Sequence, residues 1–161
     1  MINVQFCSLL ELMNNYQSFI HNIKVKYLDL LSLLTTVEDI SLEKFTETIQ
    51  NISNIGGIIM IGYISNPNFP NFEIVCSGTL IIEPKIIHKC KKVGHIEDIV
   101  THVNYRGKGL SQNILNILRD YAKREDCYKV ILDCKENVKN VYIKNGFEER
   151  GVQMALYFDE V

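Results

Sequence analysis

The pattern of hydrophobic and polar positions divides the chain into a helical first third and a strand-rich remainder. Up to about residue 55, apolar residues recur at helical spacing, for example in SLEKFTETIQNI, where Ser41 is typical of a helix N-cap. The apolar stretches at 56–64 and 72–82 flank a polar, proline-containing loop at 65–71. This arrangement predicts helices followed by a β-hairpin.

The second half of the chain alternates between strand-like and helix-like segments. A strand is expected at 95–103, and after the turn NYRGKG a helix carries its apolar residues on one face. The apolar run 128–134 predicts a strand covered on both faces, and a helix at 137–145 and a last strand at 151–158 follow. We therefore expect an α/β fold, a mixed sheet flanked by helices, in which the strands at 95–103 and 128–134 are parallel. The predicted helical face comprises Leu110, Ile114, Leu115, Ile117, Leu118, Tyr121 and Ala122.

The length of 161 residues fits a single domain, 1–161. The net charge bears on which kind of partner the protein binds. A net charge of −2 and a pI near 6.1 lack the basic balance expected of a nucleic-acid-binding protein. The first lysine is Lys24, so no signal peptide is expected, and the longest apolar run near the start contains Asp29 and is too short to cross a bilayer. We expect no membrane partner and a cytoplasmic location.

The cysteines and histidines point to neither a disulfide framework nor a metal centre. Five cysteines are an odd number and form no C-x-x-C pair, which favours a reducing compartment. His88, Cys90 and His95 have a spacing that fits no closed zinc site, and a fourth ligand is missing. No metal is expected.

Two adjacent carboxylates, Glu97 and Asp98, stand inside the apolar run GHIEDIV. A strand that only packs has no use for such a pair, whereas a strand that delivers an acceptor to an active site does. Because side chains alternate along a strand, only one of the two can face a given side of the sheet. We interpret one carboxylate as a substrate ligand and the other as holding backbone or a partner group.

The turn YRGKGLSQ removes side chains at Gly107 and Gly109, where the chain leaves the strand and enters the helix. The free amides of the helix start then point into the turn, and the helix dipole favours an anion such as a pyrophosphate there. The alternative is a plain connection that uses glycine for a positive φ. The turn is neither a P-loop nor G-x-G-x-x-G, so by itself it leaves both interpretations open.

Two further residues are candidates for chemistry. Asp133 ends the apolar run KVILD, where a carboxylate would be costly to bury unless it is paired or used. Tyr142 lies in VYIKNGF on a short helix, where a tyrosine is usually a core residue. On residue type and position alone, Asp133 is the stronger candidate.

Taken together, these motifs resemble a known family. The turn RGKG before a helix resembles the acetyl-CoA motif R/Q-x-x-G-x-G/A of the GNAT acyltransferase superfamily. The wider stretch from Gly78 to Met154, with GHIEDIV, YRGKGL, CYKVILDC and VYIKNGF, is similar to the eukaryotic glucosamine 6-phosphate N-acetyltransferases, and LTTV at 34–37 is an outlying match. The resemblance implies the GNAT fold, acetyl-CoA as cosubstrate, and a homodimer with substrate sites at the subunit boundary.

The same resemblance implies roles for individual residues. Backbone atoms of the strand would hold the pantetheine arm, and the glycine turn would hold the pyrophosphate. Asp133, Tyr142 and Glu97 would be catalytic, with Tyr142 facing the thioester sulfur. The implied acetyl-CoA-binding residues are Ile99, Val100, Thr101, Arg106, Gly107, Lys108, Gly109, Leu110, Ser111 and Gln112, together with Asp133 and Tyr142. The implied sugar-phosphate-binding residues are Thr35, Lys85, Ile86, Ile87, His88, Glu97, Asp98, Ile99, Tyr128 and Lys129.

The chain departs from the family pattern at three positions. Ser111 replaces the last glycine or alanine of the turn. Val138 stands where family members have an asparagine, and Tyr157 stands where an arginine usually lies near the sugar phosphate. The last departure bears on phosphate recognition.

The activity implied is transfer of the acetyl group of acetyl-CoA to the amine of glucosamine 6-phosphate, a step of UDP-N-acetylglucosamine biosynthesis. Direct attack in a ternary complex is expected, because the one candidate for an acyl-carrying nucleophile, Cys134, has no base placed beside it in the sequence. Two alternatives remain: a GNAT enzyme for another small amine or a protein N-terminus, and a CoA-binding module without catalysis.

Overall fold

A computed structural model describes residues 3–65 and 71–158, so most of the predicted hairpin loop at 65–71 lies outside the described residues. One five-stranded sheet runs through the described part in the order β1-β2-β3-β4-β5. Its strands are β1 (Gln5–Ser8), β2 (Ile58–Ser65), β3 (Phe72–Pro84), β4 (Lys92–Thr101) and β5 (Cys127–Ile131). The helices are α1 (Leu9–Asn15), α2 (Ile20–Leu31), α3 (Leu42–Asn54), the short α4 (Ile87–Cys90), α5 (Leu110–Arg124) and α6 (Lys139–Lys144).

The sheet is mixed, as the sequence predicts. Strands β1 to β4 pair antiparallel in succession, and β4 pairs with β5 in parallel. The hairpin β2–β3 and the parallel pair joined by α5 confirm the predicted topology. Strand β1 was missed, because its four residues carry too little pattern and only their pairing with β2 makes them a strand.

Helices cover both faces of this sheet. Helices α1, α2 and α3 close one core, in which Leu9, Ile23, Leu30 and Phe45 meet Ile61 and Val100 of the sheet. Helix α5 closes the core on the opposite face with the predicted apolar residues Leu110, Ile114, Leu115, Leu118 and Ala122. Within the described ranges, no helix is both long enough and apolar enough to cross a membrane.

Helix α5 lies very close to β3, and Gly78 makes this approach possible. A Cβ built on Gly78 would lie 2.5 Å from Cδ1 of Ile99 and 2.6 Å from Cγ2 of Ile114. Both distances are far below a van der Waals contact, so a larger residue would have to displace α5 or β4. The start of α5 is thereby fixed against the middle of the sheet.

A buried lysine holds the segment between α2 and α3. Lys24 is 5% exposed, and its ammonium lies 2.9 Å from Oδ1 of Asp39 and donates to the carbonyl oxygen of Ile40. Removing one partner of such a pair leaves a charge in a poorly solvated place, so the contact fixes the course of residues 32–41. Helix α3 then begins as predicted, with the Ser41 hydroxyl accepting from the amide of Lys44 at 3.1 Å.

Two predictions for the C-terminal part of the chain are wrong. Residues 151–158 form no strand, since none of the described strands pairs with them, and Val152, Met154 and Phe158 are 89–91% exposed. Strand β5 is also not covered on both faces: it is partly exposed, and it ends at Ile131 rather than at residue 134. Both segments are apolar, but among the described residues no second surface covers them.

Candidate active site

The sheet opens between β4 and β5. Their pairing ends at His95↔Ile131, whereas β4 continues to Thr101. In the described part of the chain, residues 96–101 therefore have no strand on the β5 side, and their backbone groups on that edge are left for another partner. We call this opening the β4–β5 gap.

A β-bulge lies at the gap. In the register of β3 and β4, Ser77 is opposite Val100 and Thr79 is opposite Glu97, so both Asp98 and Ile99 face the single residue Gly78. Asp98 takes a left-handed conformation with φ of 54° to fit the extra residue. Bulges of this kind re-aim side chains and bend a strand. Here the bulge turns the adjacent carboxylates of β4 relative to the regular strand on either side.

Three carboxylates form one electrostatic group beside the gap. The pKa of Glu97 is raised by its partial burial and by the negative charges of Asp98 and Asp133. The pKa of Asp98 is raised by burial. Asp133 is exposed, as the side chains of Glu97 and Asp98 largely are, and Nε2 of Gln153 donates to it at 3.0 Å. The group has a surplus of negative charge and suits a cationic amine.

A buried polar cluster that the sequence pattern does not reveal lies under the bulge. Tyr27 of α2 is 5% exposed, and Oγ of Ser77 donates to its hydroxyl at 3.5 Å. Burial is the main reason that the pKa of Tyr27 is raised to about 12, and the negative charge of Asp98 adds to the rise. The hydrogen bond with Ser77 acts in the opposite direction and lowers this pKa. Ser77 and Thr79 are buried polar residues two positions apart in an otherwise apolar strand. This spacing is the sequence feature from which the cluster could have been predicted.

The glycine turn has the geometry expected of an anion site. Gly107 and Gly109 have φ of 74° and 76°, and Gly109 is the N-cap of α5 without any side-chain cap. A Cβ on either glycine would have no atom within 4 Å, so glycine is required by the left-handed backbone and the turn faces open space. Exposed Arg106 and Lys108 add positive charge beside the uncapped amides of the first helical turn.

Tyr142 lies on α6 and packs into the core beneath α5. Its ring meets Phe147 edge-on at 6.1 Å between centroids. Burial raises the pKa of Tyr142, and the nearby Cys134 adds to the rise. The hydroxyl therefore stays protonated at neutral pH and can donate a proton or hydrogen bond.

The remaining predicted residues do not all come together in one chain. The rings of His88 and Tyr128 lie 4.3 Å apart, and Nζ of Lys129 lies 5.5 Å from the Tyr128 ring. Lys129 pairs with Val93, four residues before Glu97, which corresponds to about 13 Å along the strand. This second group is therefore separate from the carboxylates.

Two other parts of the predicted sugar-phosphate set lie outside both groups. Thr35 is exposed in the segment that Lys24 anchors. Ile86 and Ile87 are 89% and 62% exposed, and Lys85 is bound to Glu83, which also lies 2.6 Å from Nε2 of His95.

The fold and the site define the class of protein. Residues 60–147, just over half of the chain, match the model of the Acetyltransferase (GNAT) family. The chain therefore belongs to the GNAT family of acetyltransferases, which confirms the predicted fold class.

More particular likenesses fall within this family. The chain is 41% identical to the glucosamine 6-phosphate N-acetyltransferase of Candida albicans over 83% of its own length and 87% of that protein. It is 37% identical to a probable glucosamine 6-phosphate N-acetyltransferase of Oryza sativa, over 82% of this chain and 80% of that one. The crystal structure of glucosamine-6-phosphate N-acetyltransferase from Arabidopsis thaliana superposes with a TM-score of 0.81 at 30% identity, covering 98% and 99% of the two chains.

The carboxylate group makes a prediction for stability. We expect Glu97→Gln to raise the melting temperature at neutral pH, because the raised pKa means that folding disfavours the charged form of Glu97. The folded protein loses stability as the pH rises from the ordinary glutamate value of about 4.3 through the raised value. Below the ordinary value the carboxyl is protonated in both states, so the variant should gain nothing there.

Thermal unfolding at neutral pH and below about pH 4 measures the difference, since that is below the ordinary glutamate pKa. The matched control is Glu47→Gln, which changes an exposed glutamate on α3. An equal effect of Glu97→Gln at both pH values would contradict the raised pKa.

Proposed function

We propose that the chain transfers the acetyl group of acetyl-CoA to the amine of D-glucosamine 6-phosphate, giving N-acetyl-D-glucosamine 6-phosphate and CoA. The observation that carries the proposal is the group Glu97, Asp98 and Asp133 at the β4–β5 gap, next to an uncapped glycine turn. The names of the similar proteins support the choice of acceptor. We take residues 1–161 as one transferase domain, since both cores pack on one sheet, and we propose that it acts in the cytoplasm in UDP-N-acetylglucosamine biosynthesis.

The residues at the gap and the turn fit acetyl-CoA. Backbone groups of Ile99 and Thr101 on the open edge of β4 would hold the pantetheine arm in the way that a neighbouring strand is held. The turn from Arg106 to Gln112 would hold the pyrophosphate through amides and two cationic side chains. Bound there, acetyl-CoA supplies an acetyl thioester.

The carboxylates prepare the acceptor amine. Glu97, Asp98 and Asp133 would attract and orient the ammonium group, and Glu97, whose pKa is raised, is the better base for its proton. The deprotonated amine nitrogen then bonds to the acetyl carbonyl carbon as the carbon–sulfur bond breaks, and the nitrogen gives up one further proton to form the amide while the departing thiolate takes up one to form the CoA thiol. A backbone amide at Ile99 would polarise that carbonyl.

Tyr142 would serve the departing sulfur. Its raised pKa keeps the hydroxyl protonated, so it can donate to the thiolate as the carbon–sulfur bond breaks. Cys134 lies near Tyr142 but is exposed, and direct transfer in a ternary complex needs no acyl group on it.

We propose that two copies of the chain complete the acceptor site. In one chain Lys129 lies about 13 Å along the strand direction from Glu97. The apolar side chains of residues 152–158 are exposed, and Gln153 of this segment binds Asp133, two residues past the partly exposed edge strand β5. A homodimer that covers this tail would also bring a second set of cations toward the carboxylates. This geometry would compensate for Tyr157 in place of the family's arginine.

A panel of amines tests the acceptor. We expect acetyl-CoA-dependent thiol release with glucosamine 6-phosphate, and a much lower kcat/KM with glucosamine, a polyamine or an N-terminal peptide. Equal thiol release with all amines would instead indicate a GNAT acetyltransferase of broad specificity. Tyr157 is the structural argument for that outcome, because it is exposed and stands where the family's arginine lies near the sugar phosphate. No release with any amine, despite CoA binding, would favour a non-catalytic CoA-binding module.

Tyr142→Phe tests the leaving-group role. The ring still packs on Phe147, so stability should change little, while kcat should fall by about 10²–10⁴ if the hydroxyl is a full general acid. We expect the lower end, because a thiolate leaves readily. The dissociation constant of acetyl-CoA should stay within about twofold, and Tyr121→Phe on α5 is the matched control. A kcat equal to that of the wild type would make Tyr142 a packing residue.

The dimer is tested by sedimentation velocity. We expect the wild type to sediment as a dimer and Met154→Glu to weaken it, because a charge would replace one of the exposed apolar side chains of the tail. Ile55→Glu, at an exposed apolar position after α3, should leave the dimer intact. A monomeric wild type at micromolar concentration would contradict a site shared between copies.

A further inference from the structure

His95 of β4 pairs with Glu83 of β3 beside the carboxylate group. Nε2 of His95 lies 2.6 Å from Oε2 of Glu83, and Oε1 of the same carboxylate accepts from the ammonium of Lys85. The pKa of Glu83 is lowered by the hydrogen bond from Lys85 and by the one with His95. Glu83 is therefore an ionised carboxylate that can only accept, so Nε2 of His95 carries a hydrogen and donates to it. The contact fixes both the orientation of the ring and the nitrogen that holds this hydrogen.

The register of the sheet places His95 on the same face as Glu97. The two residues are two positions apart in β4, before the bulge, so their side chains leave the sheet on one side, about 7 Å apart along the strand. Ile96 between them belongs to the core under α5, so His95 and Glu97 point away from that helix. Glu83 reaches the ring diagonally, since it is opposite Val93, two residues before His95.

His95 is a positive group that acts on the charge of Glu97. Partial burial and the charges of Asp98 and Asp133 raise the pKa of Glu97, and His95 acts the other way and lowers it. Histidine is ordinarily positive below about pH 6.5, so at acidic pH the ring brings a positive charge to a group of carboxylates. The other ionisable groups around this face are Glu83 and Lys85 at the end of β3, Lys129 of β5, and Tyr27 of α2, which is neutral because its pKa is about 12.

We propose that His95, held by Glu83, is a positioning residue of the acceptor site, and that its positive charge keeps Glu97 in the carboxylate form that takes the proton of the amine. The inference rests on the proposed function and deepens it. The proton passes from the ammonium nitrogen to a carboxylate oxygen of Glu97, and His95 keeps its own protons throughout. Without this charge, a carboxylate crowded by two others would hold a proton at the pH where a base is needed.

The pH profile of kcat/KM for glucosamine 6-phosphate compares His95→Gln with His95→Arg. Glutamine can keep a hydrogen bond to Glu83 but has no charge, whereas arginine keeps both. His95→Gln should lower kcat/KM by about twofold to fivefold on the acidic limb, the effect of one partly exposed charge pair, and leave the plateau unchanged. His95→Arg should match or exceed the wild type on that limb. His21→Gln, which removes an exposed histidine of α2, is the matched control and should reproduce the wild-type profile.

Titration of the Glu97 carboxyl carbon by NMR is a readout that needs no turnover. Its midpoint should move to higher pH in His95→Gln and should not do so in His95→Arg, and the signal is assigned by its absence from Glu97→Gln. An unchanged midpoint or an unchanged acidic limb in His95→Gln would overturn the inference, and the pair would then only join β3 to β4. If the wild type acetylates no amine while the midpoint still moves in His95→Gln, the proposed function fails and the charge coupling between His95 and Glu97 stands.

Discussion

The early end of pairing between β4 and β5 is the constraint on which the rest of the site depends. A strand edge inside a domain normally finds another strand, because unpaired backbone groups are costly when they are shielded from water. Here β5 stops at Ile131 while β4 runs on to Thr101, so the edge must be satisfied by something other than this sheet. Glu97 and Asp98 lie on the part of β4 that runs on past this pairing, Asp133 acts on the same electrostatic group, and the chain leads from β4 into the glycine turn.

The bulge and the close packing of α5 keep this opening in place. The residue opposite the bulge, Gly78, has no side chain, and Ile99 of the bulge occupies space that a Cβ would need. The same absence lets α5 approach β3, where Ile114 fills the space that a Cβ would occupy. One glycine therefore makes room both for the bulge of β4 and for the helix whose first turn is the proposed anion site.

How much could be predicted from the sequence follows from how local each signal is. Glu97 and Asp98 break an apolar run, and Gly107 and Gly109 precede a strongly amphipathic helix, so both features are visible within ten residues. Tyr27, Ser77 and Thr79 come from distant parts of the chain and meet only because α2 packs on β3. The four residues of β1 and the pair of Glu83 and His95 are likewise products of tertiary structure. The catalytic and binding roles of the individual residues stay predictions.

The two wrong predictions concern apolar segments that the described residues leave partly or fully exposed. Residues 128–134 and 151–158 carry the pattern of buried strands, yet β5 is partly exposed and the last apolar side chains face outward. An apolar pattern in a sequence indicates that a segment is buried in the functional protein, and an oligomer can supply that burial as well as a single chain can. Exposed apolar residues of this number on a contiguous segment are costly in water and are a common mark of an interface. In the proposed dimer, a second copy that covers this segment would lie close to Asp133, which is exposed and bound by Gln153 of the same segment. The proposed dimer would supply the cover that the sequence predicts for β5, and the carboxylates would then act in a less polar surrounding than one chain alone provides.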